Sequence, residues 1–153
     1  MKTVKRHFEL DAGHRLAEHQ FKCQNLHGHR YVFDIEITGE IHEKTGLLMD
    51  FSHIKAPIMD AFDHNTLLNS EDPLTNSDII NFIEDGQEYD LYIMDCEPTV
   101  ENIADEAMDL IFNQMTEDER KRIDTVRIKV AETPNCKVES DYLLDSDGQA
   151  YNK

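Results

Sequence analysis

The chain has 153 residues, 39% of them hydrophobic and 31% charged, with a formal net charge of −17. That length suits one domain over residues 1–153 with a core of its own, and the negative charge argues against nucleic acid or an anionic membrane as partner. No apolar run reaches the roughly 20 residues that span a bilayer, the start MKTVKRHFEL lacks a signal-peptide core, and three irregularly spaced cysteines point to a reducing cytoplasm rather than a disulfide framework.

Residues 4–14 place Val4, Phe8, Leu10 and Ala12 on even positions, which predicts a strand. Residues 29–38 alternate more regularly: Tyr31, Phe33, Ile35 and Ile37 face one way, Asp34, Glu36 and Thr38 the other. GLLMDF at 46–51 reads as a short extra strand. The stretch SHIKAPIMDAFDH sets Ile54, Ile58, Ala61 and Phe62 on one helical face, with Pro57 fitting only in a first turn or at a bend. Residues 69–97 read as a long loop holding a short strand at LYIMD. A second helix follows, with a stripe of Val100, Ile103, Ala104, Ala107, Leu110 and Ile111, Thr99 as its N-cap and Glu101 in its first turn. Residues 125–133 form another strand, with Val126, Ile128 and Val130 inward, and DYLL supplies a last one. The order ββααββ predicts an α+β fold, a four-stranded antiparallel sheet with two helices on one face.

Parity along the strands decides which polar groups join the buried side. His14 continues the even face of the first strand, His27 and His29 continue the odd face of the second, and Glu132 continues the even face of the strand at 125–133. If the first two strands form an antiparallel hairpin, His14 lies beside His27 and His29. A lone HxH pair is a weak signal, but a third imidazole on the neighbouring strand makes a zinc site with one open position. Gly28 suits a close backbone approach between the two ligands. Cys23 reads either as a small buried thiol or, near Lys22 and a metal, as an activated base. Asp63 and His64 read either as a charge-relay pair or as a helix-terminal histidine beside an acid. Charge is uneven as well: residues 1–30 carry six basic side chains (Lys2, Lys5, Arg6, Arg15, Lys22, Arg30) against three acidic ones (Glu9, Asp11, Glu18). An anionic ligand should bind there.

The stretches FELDAGHRL, KCQNLHGHRY, GLLMDF, FDHNTLLN, PTVENIA and VAET, in this order, resemble the family of 6-pyruvoyl-tetrahydropterin synthase and 6-carboxy-tetrahydropterin synthase. The resemblance covers nearly the whole chain. It implies the tunnelling fold (T-fold), commonly a homo-hexamer built as a dimer of trimers, with active sites between subunits. It implies zinc on His14, His27 and His29, a proton-abstracting Cys23, a relay of Asp63 and His64, and Glu132 as pterin anchor and relay member. Thr99 and Glu101 of the partner subunit are then expected to line the pterin pocket. Three residues separate Cys23 from His27, the spacing of the carboxy-forming, queuosine-pathway branch; the pyruvoyl-forming branch typically has five. The implied reaction turns 7,8-dihydroneopterin triphosphate into 6-carboxy-5,6,7,8-tetrahydropterin, acetaldehyde and triphosphate. No Walker-type loop is present for the triphosphate, which leaves basic side chains such as Arg15, Lys22 and Arg30 to hold it. The alternatives are a 6-pyruvoyl-tetrahydropterin synthase and a non-catalytic zinc- and pterin-binding protein of the same fold.

Overall fold

In the computed structural model, which describes residues 1–75 and 90–152, the two alternating N-terminal stretches form a long antiparallel hairpin, β1 (Lys2–His14) and β2 (His27–Gly39). A single 3-10 turn, Lys22–Gln24, lies in the connection. The chain continues through α1 (Phe51–Phe62), β3 (Thr66–Asn69), β4 (Leu91–Met94), α2 (Val100–Gln114), α3 (Glu117–Arg122), β5 (Ile123–Thr133), β6 (Cys136–Leu144) and β7 (Ala150–Asn152).

The architecture is α+β, as the alternation predicts, but the expected four-stranded antiparallel sheet is larger and mixed. Among the described residues it has seven strands in the order β4-β3-β1-β2-β5-β6-β7. The four predicted strands form its antiparallel centre, β1-β2-β5-β6. β3 and β4 add parallel pairs on the free edge of β1, the expected short strand at LYIMD being β4, and β7 folds back on β6. Strands of three or four residues are too short to declare themselves by alternation. GLLMDF is not a strand: Gly46 turns with φ +71, Leu48 and Met49 insert into the core, and Asp50 caps α1 by accepting a hydrogen bond from the Ser52 amide. Of the expected 69–97 loop, residues 76–89 lie outside the described residues.

Inward residues of β1, β2 and β5 bury Phe8, Leu10, Phe33, Ile35, Ile37, Val126, Ile128 and Val130. Phe8 pairs directly with Phe33 across the hairpin, their rings stacked 5.2 Å apart. Over this face pack α1, through Ile54, Ile58 and Phe62, and α2, through Ile103, Ala107 and Ile111. α1 runs on through Pro57, which forgoes its ladder bond in mid-helix rather than in the first turn. Thr99 caps α2, and Glu101 sits in its first turn. Gly39 ends β2 where a Cβ would stand 2.1 Å from the Arg122 carbonyl oxygen, so only glycine fits. Among the described residues no helix is long and apolar enough to cross a membrane.

Candidate metal centre

The hairpin register brings the histidines together. His14 pairs with His27 and Ala12 with His29, so three imidazoles from adjacent strands meet at one end of the buried face. One nitrogen from each lies within 4.8 Å of the others. His14 is 1% exposed, while His27 and His29 are half-buried.

Two backbone carbonyls set how these rings present their nitrogens. His14 Nδ1 donates to the Pro98 carbonyl at 2.8 Å, and His27 Nδ1 donates to the Asn25 carbonyl at 2.7 Å. In a neutral imidazole this uses the one N–H, so Nε2 of each ring carries a lone pair. Those two Nε2 atoms stand 3.1 Å apart. Lone pairs facing at that distance repel unless a cation lies between them, and the donor set therefore fits a metal ion. Burial lowers the pKa of the His14 imidazole, outweighing the Pro98 carbonyl, which raises it. The ring is thereby kept in the neutral form that a metal requires.

Glu132 stands beside the cluster. Its Oε1 is 3.4 Å from His14 Nε2 and 3.6 Å from His29 Nε2, and its side chain is 22% exposed. The buried Tyr31 hydroxyl lies 3.2 Å from His14 Nδ1, and burial, with the charge of Glu132 adding to it, pushes its pKa far up.

Asp63 and His64 follow α1. Their side chains are 3.1 Å apart, with His64 80% exposed and in the left-handed region at φ 61. Asp63 Oδ1 accepts from the Asp11 amide, and the His64 amide donates to the Asp11 carbonyl, tying the pair to β1. A cavity of about 570 Å³ opens between this connection and the hairpin end, lined by His64, Asn65 and Thr66 on one side and by Leu26, His27, His29 and Arg30 on the other. Its floor is the cross-strand pair Gly13 and Gly28, where a Cβ on Gly28 would come within 3.2 Å of the Ala12 carbonyl oxygen.

The other predicted site residues lie around this end without lining the cavity. Cys23 is a half-buried free thiol in the 3-10 turn, and its carbonyl accepts from the Leu16 amide, two residues beyond His14. Lys22 is exposed in the same turn. Arg15 points Nε at the buried Asp72 carboxylate, 3.0 Å away. Thr99 follows the Pro98 carbonyl that holds His14, with its hydroxyl engaged in capping, and Glu101 is exposed. Sequence reasoning missed Asn25, Pro98, Tyr31 and Asp72. Backbone acceptors have no residue-type signature, Tyr31 reads as one more member of the apolar face, and no local pattern marks Asp72.

The family model of 6-pyruvoyl tetrahydropterin synthase matches residues 3–142. A 6-carboxy-5,6,7,8-tetrahydropterin synthase of Rickettsia conorii is 41% identical over 138 residues, which cover 88% of this chain and 96% of that protein. A probable 6-carboxy-5,6,7,8-tetrahydropterin synthase of Halobacterium salinarum is 32% identical over 130 residues, or 84% of this chain and 79% of the relative. The solved 6-pyruvoyl tetrahydropterin synthase of Plasmodium falciparum shares the fold, with a TM-score of 0.65 at 21% identity over 93% of this chain and 99% of that one.

Proposed function

Because the chain belongs to the 6-pyruvoyl tetrahydropterin synthase family, we propose that it is a zinc-dependent 6-carboxy-5,6,7,8-tetrahydropterin synthase of queuosine biosynthesis. It would act in the cytoplasm as a homo-hexamer on 7,8-dihydroneopterin triphosphate. The observation that carries this reading is the cluster of His14, His27 and His29, with lone-pair nitrogens converging, in a chain similar to synthases of that name over most of its length.

Zinc held by the three imidazoles would supply a Lewis acid that acidifies the hydroxyls of the substrate side chain. Cys23, as thiolate, removes a carbon-bound proton, triphosphate is expelled, and water then cleaves the side chain, whose two terminal carbons leave as acetaldehyde while the carbon next to the ring stays as the carboxylate. Asp63 orients the His64 ring, which moves protons at the cavity rim. Glu132 accepts paired hydrogen bonds from pterin N–H groups, a geometry that a carboxylate matches. Thr99 and Glu101 line the pterin pocket of an adjoining subunit. Arg15, held at Nε by Asp72, and Lys22 meet the triphosphate.

The second reading, a 6-pyruvoyl-tetrahydropterin synthase, is favoured by the description of the family model. The gap of three residues between Cys23 and His27 favours the first. Incubation of the zinc-loaded protein with 7,8-dihydroneopterin triphosphate separates them by product. Acetaldehyde with the 6-carboxy product supports the proposal, a pyruvoyl product supports the second reading, and no turnover indicates a binding protein. Cys23→Ala is expected to keep its zinc and lose turnover below detection; full activity in that variant would remove Cys23 from the mechanism.

A further inference from the structure

We infer that Glu132 is a removable fourth ligand of the metal centre, closing the site at rest and leaving it when a pterin binds. The second half of this statement rests on the pterin-synthase reading above; the first rests on the geometry alone.

Two imidazole lone pairs and a carboxylate oxygen converge at one end of the buried face. His14 Nε2 and His27 Nε2 present lone pairs because their Nδ1 atoms donate to Pro98 and Asn25. Glu132 Oε1, an acceptor when ionised, approaches His14 Nε2 at 3.4 Å and His29 Nε2 at 3.6 Å. With zinc–ligand bonds of about 2.0–2.1 Å, the corners of a tetrahedral site lie about 3.3–3.4 Å apart. The 3.4 Å from Glu132 to His14 matches an edge of that figure, while the 3.6 Å from Glu132 to His29 and the 3.1 Å between His14 and His27 each lie within about 0.3 Å of one. Within ion-pair range Glu132 reaches His14 and His29 but not His27, so a small swing of its side chain completes the fourth corner.

The same carboxylate is free to leave. Among the described residues no hydrogen bond anchors it, in contrast to the buried Asp72, which faces Arg15 and accepts from the Leu74 amide. It is partly exposed and lies near the end of β5, one position before Thr133, where the pairing with β6 shifts register. A pterin offers a pair of N–H donors that a carboxylate prefers geometrically, so ligand binding draws Glu132 off the metal and frees a position for a substrate oxygen. Metal access is then conditional on a pterin, which protects an open Lewis acid from other ligands.

The test uses the full chain loaded with cobalt(II), whose visible absorption reports the ligand set, and neopterin as an unreactive pterin whose binding is followed separately by its fluorescence. Wild type is expected to show one spectrum at rest and another with neopterin, the second resembling that of resting Glu132→Gln. Zinc affinity, measured by chelator competition, is expected to fall at least about tenfold in Glu132→Gln, and in Glu132→Asp, which retains the charge but is shorter. Circular dichroism checks that both variants fold, and the wild-type response to neopterin needs no variant. Identical resting spectra and zinc affinities in wild type and Glu132→Gln would overturn the ligand assignment. Neopterin binding that leaves the wild-type spectrum unchanged would overturn the exchange while sparing the pterin reading. Failure of neopterin to bind a protein whose metal carries Glu132 would overturn the exchange together with that reading.

Discussion

The two faces of β1, β2, β5 and β6 are built on opposite terms. On the helix-covered face the side chains are mostly apolar and buried, with Arg6 and Ser140 as polar members along it, and His14, His27, His29 and Glu132 gather at one end. On the open face the same strands carry charge pairs, Lys5–Glu36, His7–Asp34, Arg30–Asp11, Arg127–Asp141 and Lys129–Glu139, most of them well exposed. Burying a large apolar side chain contributes about 1.5–3 kcal/mol, whereas an exposed ion pair contributes about 0–1 kcal/mol. Stability therefore belongs mainly to the covered face, whose end also holds the candidate metal centre, and the open face mainly balances charge.

That contrast can be broken, starting with the largest effect. His27→Ala removes one of the converging nitrogens, and metal analysis of the purified variant should find the zinc of the wild type gone and turnover with it. Wild-type metal content in His27→Ala would reject the ligand assignment. Phe33→Ala empties a fully buried ring position opposite Phe8 and should cost about 3–5 kcal/mol in urea unfolding. A loss under 1 kcal/mol would mean that the sheet centre is not the core. Thr99→Ala deletes the cap of α2, next to the carbonyl that fixes His14, and should cost about 0.5–2 kcal/mol. Arg127→Ala, on the open face, should cost no more than about 1 kcal/mol, and that difference should shrink in high salt. A larger, salt-insensitive cost there would show that the open face is energetically coupled to the core.

How much of this was legible in the sequence follows from which signals are periodic. Four strands and two helices carry long alternating or helical stripes, and their apolar residues alone place His14, His27, His29 and Glu132 on one face. The register His14 opposite His27 adds only that the hairpin closes at its histidine end. β3 and β7 escape because three or four residues show no period, and α3, EDERKR, because it has no apolar stripe at all. A signal for α3 was nevertheless present: Thr116 and Glu119 form a capping box, with the Thr116 hydroxyl accepting from the Glu119 amide and the Glu119 carboxylate accepting from the Thr116 amide. GLLMDF misleads for the opposite reason. Its apolar residues are buried, but Gly46 and Asp50 make it a turn and a cap. At the metal centre the side chains were readable and the carbonyls of Asn25 and Pro98 were not, since any residue supplies a carbonyl and only the fold aims it.

The central claim, that the covered end of the hairpin is a metal centre, is tested most directly by a crystal structure of the zinc-loaded protein with anomalous scattering collected at the zinc edge. The account predicts a single strong peak per chain among the Nε2 atoms of His14, His27 and His29. A peak elsewhere, or none at full zinc loading, would contradict it.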